Sequence, residues 1–278
     1  MLRLAPVCIN FAAVNEELLH IDRLSTGYAG RALTQDFCCR AAAGELIALI
    51  GPNGTGKSTL LRTLAGLLPP LQGSVRWQGT SLTALTPRAR ARRVGVVLSA
   101  QALAAPLTVQ GLAAMGRMPY TGLTGRPREA DRLAVRQALE LAGVAHLSNR
   151  PLHALSDGEK ARAFIAKALA QQTPAILLDE PTAHLDIRGK WEVLSLLARL
   201  AHEQGRLVIC STHDLEPMLH VADRVWLLSD VRCTDGTPQT LAADGSIACT
   251  FAVPGLDFDV QRKRFFISDR QENEYDGK

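Results

Sequence analysis

No apolar run in this 278-residue chain approaches the eighteen or so residues that a membrane-crossing helix needs, so it is not expected to span a bilayer. No C-x-x-C pair or other metal spacing occurs among the six cysteines (8, 38, 39, 210, 233 and 249). Reduced, mostly buried thiols fit that pattern better than a disulfide framework. There is no marked charge excess: +4 is too small to argue for nucleic acid. The run Arg88-Ala-Arg-Ala-Arg92-Arg93 reads more simply as a solvated helix face. Internal repeats and low-complexity linkers are missing too. What remains is 47% apolar and 21% charged, an ordinary globular balance. The length allows one large domain or two small ones. Residues 4–14 faintly resemble a signal h-region. They are few, contain Pro6 and Asn10, and run into Asn15-Glu-Glu, so residues 1–16 are read as an irregular extension.

Against that background one stretch stands out. Residues 51–59 read GPNGTGKST, between an apolar run (46–50) and a periodic helical segment. The spacing of Gly51, Gly56, Lys57 and Ser58 is that of a P-loop joining a buried strand to a helix. Gly51, Gly54 and Gly56 let the backbone curl so that successive N–H groups face one anion, with Pro52, Asn53 and Thr55 between them. The helix end at Gly56–Thr59 adds its positive dipole. Lys57 would reach the β- and γ-phosphates, and the Ser58 hydroxyl would ligate Mg²⁺. A nucleoside triphosphate site is expected.

Upstream, residues 17–28 read as an edge strand entering a turn, with 38–43 as its partner. Tyr28 could stack on an adenine ring or be an ordinary strand-end tyrosine. Downstream, strands are expected at 75–77 and 94–98, with a short basic helix at 87–93 between them. From about 100 to 160 the pattern turns helical, at 107–116 and better at 127–143. Ser156 and Glu159 form a capping box, so a helix starts there. It could be a well-capped helix and nothing more, or a second phosphate-facing terminus, with Gly158 allowing close approach. The apolar strand 175–179 ends in Asp179 and Glu180, two acids that are unfavourable in a core unless used. Asp179 suits Mg²⁺ and Glu180 the polarisation of an attacking water. A helix is expected from about 189 to 204, then a core strand at 206–210 ending near His213, which lies by the same rim. One more strand is expected at 225–228, then a turn and helix from 236 to 243. The polar tail 268–278 has a disordered composition.

Taken together, five segments covering most of residues 17–230 resemble the ATP-binding subunit of an ABC transporter, in the importer subfamily serving iron–siderophore, haem or cobalamin uptake. GPNGTGKS (51–58) is similar to the Walker A motif, and ILLDEP (176–181) to Walker B. AHLD (183–186) resembles the D-loop, with Asp186, and STHD (211–214) the switch histidine. LSDGE (Leu155, Ser156, Asp157, Gly158, Glu159) resembles the ABC signature, with Asp157 where the commonest form has glycine. The resemblance implies an α/β P-loop NTPase with a RecA-like core, an antiparallel β subdomain and a helical subdomain at about 100–160. The nucleotide-binding domain would run from 17 to 255, with a C-terminal segment at 256–278.

The resemblance also implies roles. Tyr28 would stack on adenine, and Lys57 and the loop N–H groups would hold the phosphates of ATP. Ser58 and Asp179 would hold Mg²⁺, Glu180 would act on water, and His213 would contact the γ-phosphate. The signature residues would face ATP on a second copy, in a head-to-tail dimer. Further partners would be transmembrane permease subunits and, indirectly, a substrate-binding protein, with no nucleic acid. The chain would sit peripherally on the cytoplasmic face of the plasma or inner membrane. The family's Mg²⁺-contacting glutamine falls in register on Ala100, with Gln101 next to it, so either Gln101 reaches the metal or that contact is missing. The stretch 115–121 (MGRMPYT) resembles one in iron and haem importers. Alternatives are a soluble ABC-type ATPase acting on DNA or ribosomes, or a transporter subunit for another solute.

Overall fold

The computed structural model describes residues 16–28, 30–98, 107–121 and 126–267. In chain order, β1 (Glu17–Tyr28), β2 (Arg31–Ala42) and β3 (Leu46–Ile50) lead into α1 (Lys57–Leu64). Then come β4 (Gln72–Trp77), β5 (Thr80–Ser81), α2 (Pro87–Ala91) and β6 (Val94–Val97). The helical stretch holds α3 (Val109–Met115), α4 (Glu129–Leu141) and α5 (Asp157–Ala170). After it follow β7 (Ala175–Asp179), α6 (Ile187–His202), β8 (Leu207–Ser211), α7 (Leu215–Val221), β9 (Arg224–Ser229) and β10 (Arg232–Gly236). The described chain closes with α8 (Pro238–Ala243), α9 (Ser246–Thr250), β11 (Leu256–Asp259) and β12 (Arg264–Ile267).

The central sheet has the order β10-β9-β3-β8-β7-β6. Every pair in it is parallel except β9 with β10. All five residues of β3, β7 and β8 are buried, as expected when both faces of a parallel sheet are covered. The strand period of two divides the core into two layers. Leu46, Ala48, Ile50, Ile176, Leu178, Val208 and Cys210 point into the layer under α3 to α6. Ile47, Leu49, Leu177, Leu207, Ile209 and Trp226 point the other way, onto α1 and a four-stranded antiparallel sheet ordered β2-β1-β4-β5.

That second sheet corrects one expectation. Residues 17–28 are not an edge strand: β1 lies between β2 and β4 and pairs with both. Its partner β4 arrives only after α1, a non-local pairing that local patterning does not reveal. Partner β2 is also longer than the expected 38–43, reaching back to Arg31. The helical stretch, by contrast, falls close to its expected positions. There α3 crosses α5 so closely that a Cβ on Gly116 would sit 2.1 Å from the Lys167 carbonyl oxygen.

Arg117, next in sequence, anchors this region. Its guanidinium is buried, pairs with Asp131 at 2.9 Å, donates to the Ala170 carbonyl at 2.8 Å and lies 4.0 Å above the Tyr120 ring. Arg92 also stacks on this ring, 4.9 Å from its centroid, and donates to the Pro119 carbonyl. Arg92 follows α2, so Tyr120 ties the helical stretch to the sheet's flank.

At the C-terminal end, β11 and β12 form a hairpin in a segment for which the sequence suggested no strand. The Phe258 and Phe265 rings pack at 4.8 Å, and the hairpin reaches α7 through Lys263 Nζ to the Leu219 carbonyl at 3.2 Å.

Candidate nucleotide and signature sites

The loop 51–56 leaves the carboxyl end of β3, which lies between β9 and β8 in the sheet, with β7 next beyond β8. Glycine is required at two points. A Cβ on Gly51 would lie 2.4 Å from the Leu228 carbonyl oxygen, and Gly56 takes φ 101° with Leu33 Cβ 2.7 Å from any Cβ there. Lys57 is buried beneath the loop, donating to the Gly51 carbonyl at 2.7 Å and the Pro52 carbonyl at 3.0 Å. Burial pushes its pKa down, with Glu180 and Asp179 acting in the opposite direction. Asn53 and Gly54 are exposed at the tip, Pro52 and Gly56 are half-buried, and Thr55 Oγ1 donates to the Pro52 carbonyl. Thr59 is buried in the first turn of α1. The loop thus wraps a buried ammonium group that its own carbonyls hold.

Asp179 ends β7 and is almost wholly buried. Its Oδ1 accepts from Ser58 Oγ at 2.9 Å and from Ser211 Oγ at 2.8 Å. Glu180 follows at φ 53°, a left-handed conformation uncommon for this residue type and typical of strained functional positions. Its backbone N–H is held by Ser211 Oγ at 3.0 Å, and its carboxylate meets His213 Nε2 at 2.7 Å. Four of the expected residues (Lys57, Ser58, Asp179, Glu180) and His213 therefore share one rim. Ser211 was not singled out in the sequence, although its place at a strand end beside Asp179 was available as a signal. Thr182, Lys190 and Asp214, which lie close behind this rim, were not singled out either.

The other sites lie elsewhere. Tyr28 is exposed at the end of β1. Gln101, like residues 1–15 and the tail 268–278, lies outside the described residues. The capping box is present: Ser156 Oγ accepts from the Glu159 N–H at 3.3 Å, and Glu159 Oε2 accepts from the Ser156 N–H at 2.8 Å. That second bond is the main reason the Glu159 carboxyl is held below its usual range. Leu155 is buried as the anchor, while Ser156 and Asp157 are exposed and Gly158 is half-buried. Asp157 pairs with Lys160 at 3.1 Å.

Asp186 caps α6, its Oδ1 accepting from the Gly189 N–H at 2.7 Å. The amino ends of α5 and α6 thus border one open cleft of about 430 Å³, lined by residues 156–159, 184–186 and 188–189 with Arg162 and Glu192. No residue of the loop 51–59 lines it. The structure brings the P-loop, the Asp179–Glu180 pair and His213 together, and leaves the signature residues in a separate cleft.

The family model for "ABC transporter" matches residues 35–183. This chain belongs to the ABC transporter ATPase family. Among its relatives, the ABC ATPase is 42% identical to the hemin import ATP-binding protein HmuV of Nocardia farcinica, over 79% of this chain and 75% of that protein. It is 38% identical to the iron(3+)-hydroxamate import ATP-binding protein FhuC of Bacillus subtilis, over 71% of this chain and 73% of that one. Among solved structures it is similar to an inward-facing metal-chelate type ABC transporter, with TM-score 0.76 and 27% identity over 90% of this chain and 95% of the other. A dimeric bacterial ABC transporter cassette gives TM-score 0.69 at 25% identity, over 80% and 99%. The fold class read from the sequence agrees with these neighbours, and the family's activity is ATP hydrolysis.

Proposed function

We propose that this ABC ATPase powers an importer of an iron complex, a siderophore or haem, or of cobalamin, by closing and reopening as a head-to-tail dimer around ATP. The observation that carries the dimer is the separation of the two halves. The phosphate cradle at 51–59 and the capped helix at 156–159 do not share a cavity, yet each is suited to one face of a triphosphate. A second copy supplies what each half lacks. The dimeric cassette among the structural neighbours supports this reading.

Within each site the residues divide the work. The loop N–H groups and Lys57 bind the phosphates, and the exposed Tyr28 ring takes the adenine. Mg²⁺ fits the donors present: Ser58 Oγ and Asp179 Oδ1 are hard oxygens already 2.9 Å apart, and the ion ordinarily takes one or two protein oxygens plus water and phosphate. Among the described residues no cluster of three His, Cys, Asp or Glu side chains competes as a metal site. When bound, the ion would neutralise charge on the β- and γ-phosphates. Glu180 orients and polarises the attacking water, and His213 holds Glu180 and meets the γ-phosphate. Ser156 and Gly158, at the positive end of α5, cover the partner's phosphates.

Among the described residues no helix is long and apolar enough to cross a membrane. Permease subunits would therefore supply the membrane path, with this chain on the cytoplasmic face and a substrate-binding protein delivering the solute. The iron or cobalamin reading rests on the names of the relatives and on the 115–121 stretch, whose Gly116, Arg117 and Tyr120 are built into the α3–α5 junction. The test is to purify the chain with its native permease in lipid and to measure ATPase stimulation by ferric siderophores, haem and cobalamin. Stimulation by one of the three is expected, and stimulation only by an unrelated solute would overturn the substrate assignment.

A further inference from the structure

We infer that Lys190 is a positioning residue, coupling the turn that carries His213 to the turn at 183–186 that leads into α6. The inference rests on the ATPase reading above. Asp214, directly after His213, is the hinge of the arrangement. Its Oδ2 accepts from Thr182 Oγ1 at 2.9 Å and its Oδ1 from Lys190 Nζ at 2.5 Å. Its own N–H is fixed by Thr212 Oγ1 at 2.9 Å. Thr182 precedes the 183–186 turn and Lys190 follows it, so one carboxylate clamps both ends of that turn to the strand end that carries the histidine.

Each partner sits against its local preference. Asp214 occupies the N-cap of α7, where an aspartate ordinarily accepts from the helix's own N–H groups, yet it makes no such bond. Lys190 is the fourth residue of α6, where the helix dipole disfavours a cation. Two local rules broken by one contact mark an arrangement kept for something other than helix stability. Both side chains are about three-quarters buried, so the pair is partly shielded from solvent. The clamped turn includes His184, held in a left-handed conformation at φ 64°, and Asp186, and both line the cleft beside the signature residues. A shift of His213 on loss of the γ-phosphate would thus pass through Asp214 to the face that meets the second copy.

The test compares Lys190→Met and Lys190→Arg with the wild type in steady-state ATP hydrolysis, thermal unfolding and amide hydrogen exchange. Lys190→Met is expected to lower kcat about tenfold with KM for ATP within about twofold, and to flatten the cooperativity of the ATP curve. Lys190→Arg should recover most of the rate. Exchange at 183–186 should rise in Lys190→Met while that at 51–56 stays unchanged. Unaltered exchange at 183–186 would overturn the coupling, as would a rate loss that merely follows a fall in Tm and is not recovered by arginine. A wild type without ATP hydrolysis would contradict the proposed function instead, and the exchange comparison would still decide the coupling.

Discussion

His213 Nε2 lies 2.7 Å from Glu180 Oε1, joining the ends of β8 and β7 at the rim beside the P-loop. In the proposed function this carboxylate and imidazole serve the terminal phosphate of a bound triphosphate. Glu180 is also fixed through its backbone by Ser211, so little reorganisation is needed for it to meet a water.

Replacing Glu180 by glutamine keeps the shape and removes the base. Glu180→Gln is expected to retain ATP binding, accumulate a closed dimer and lose hydrolysis by at least about 100-fold. Turnover near wild type, measured with nucleotide affinity on the same sample, would remove Glu180 from the role proposed.

Asp179 offers a separate handle. Asp179→Asn retains a hydrogen-bonding side chain next to Ser58 and Ser211 but lacks the charge that would attract a cation. The Mg²⁺ concentration for half-maximal hydrolysis should rise by about tenfold or more. An unchanged Mg²⁺ titration would exclude Asp179 as the metal's carboxylate.

How far this rim could be read from the sequence depends on how local each feature is. The P-loop, the Asp179–Glu180 pair and the Ser156–Glu159 capping box are short, contiguous patterns, and each appears where the residues suggest. The sandwiching of β1 between β2 and β4 depends on a strand that arrives only after α1, so nothing local to residues 17–28 marks it. The same holds for Thr182, Asp214 and Lys190. Each is ordinary in its own segment, and only the meeting of three segments gives them a joint role. The 256–267 hairpin packs through Phe258 and Phe265, in a short charged stretch that lacks a strong strand period.

The α3–α5 junction gives a prediction of stability. Arg117 and Asp131 are buried together, so Arg117→Met takes the guanidinium partner from a buried carboxylate and leaves the Arg128 N–H to hold it. A loss of about 3–5 kcal/mol is expected by chemical denaturation. A loss below about 1 kcal/mol would mean that the Arg128 N–H alone is enough to hold the Asp131 carboxylate.

Asp131 also sets a pH dependence. Its carboxyl is held below the usual 3.8, first because the Arg128 N–H donates to it, with Arg117 adding to the effect. A group lowered in the folded state stabilises above its unfolded pKa and loses that contribution as pH falls through the folded value. The stability advantage of wild type over Asp131→Asn should therefore be full near neutral pH and shrink below about pH 4. A gap that widens on acidification would contradict the sign.

Close packing at Gly116 is tested by Gly116→Ala. The added methyl meets the Lys167 carbonyl at 2.1 Å, a backbone atom that cannot swing aside. Separation of α3 from α5 should cost about 1–3 kcal/mol. An unchanged Tm would show that the two helices separate freely.

The composite site is tested most directly by mixing two inactive subunits. Lys57→Ala removes the ammonium from the phosphate cradle and leaves the signature helix intact. Gly158→Asp places a carboxylate at the signature terminus, where a side chain has room, since its Cβ would be 3.9 Å from its nearest neighbour, Gly189. Each variant alone has both sites of its dimer damaged. In an equimolar mixture half of the dimers are mixed and each mixed dimer keeps one intact site, so about a quarter of wild-type ATP turnover should return. A mixture as inactive as its components would contradict a site shared between two copies.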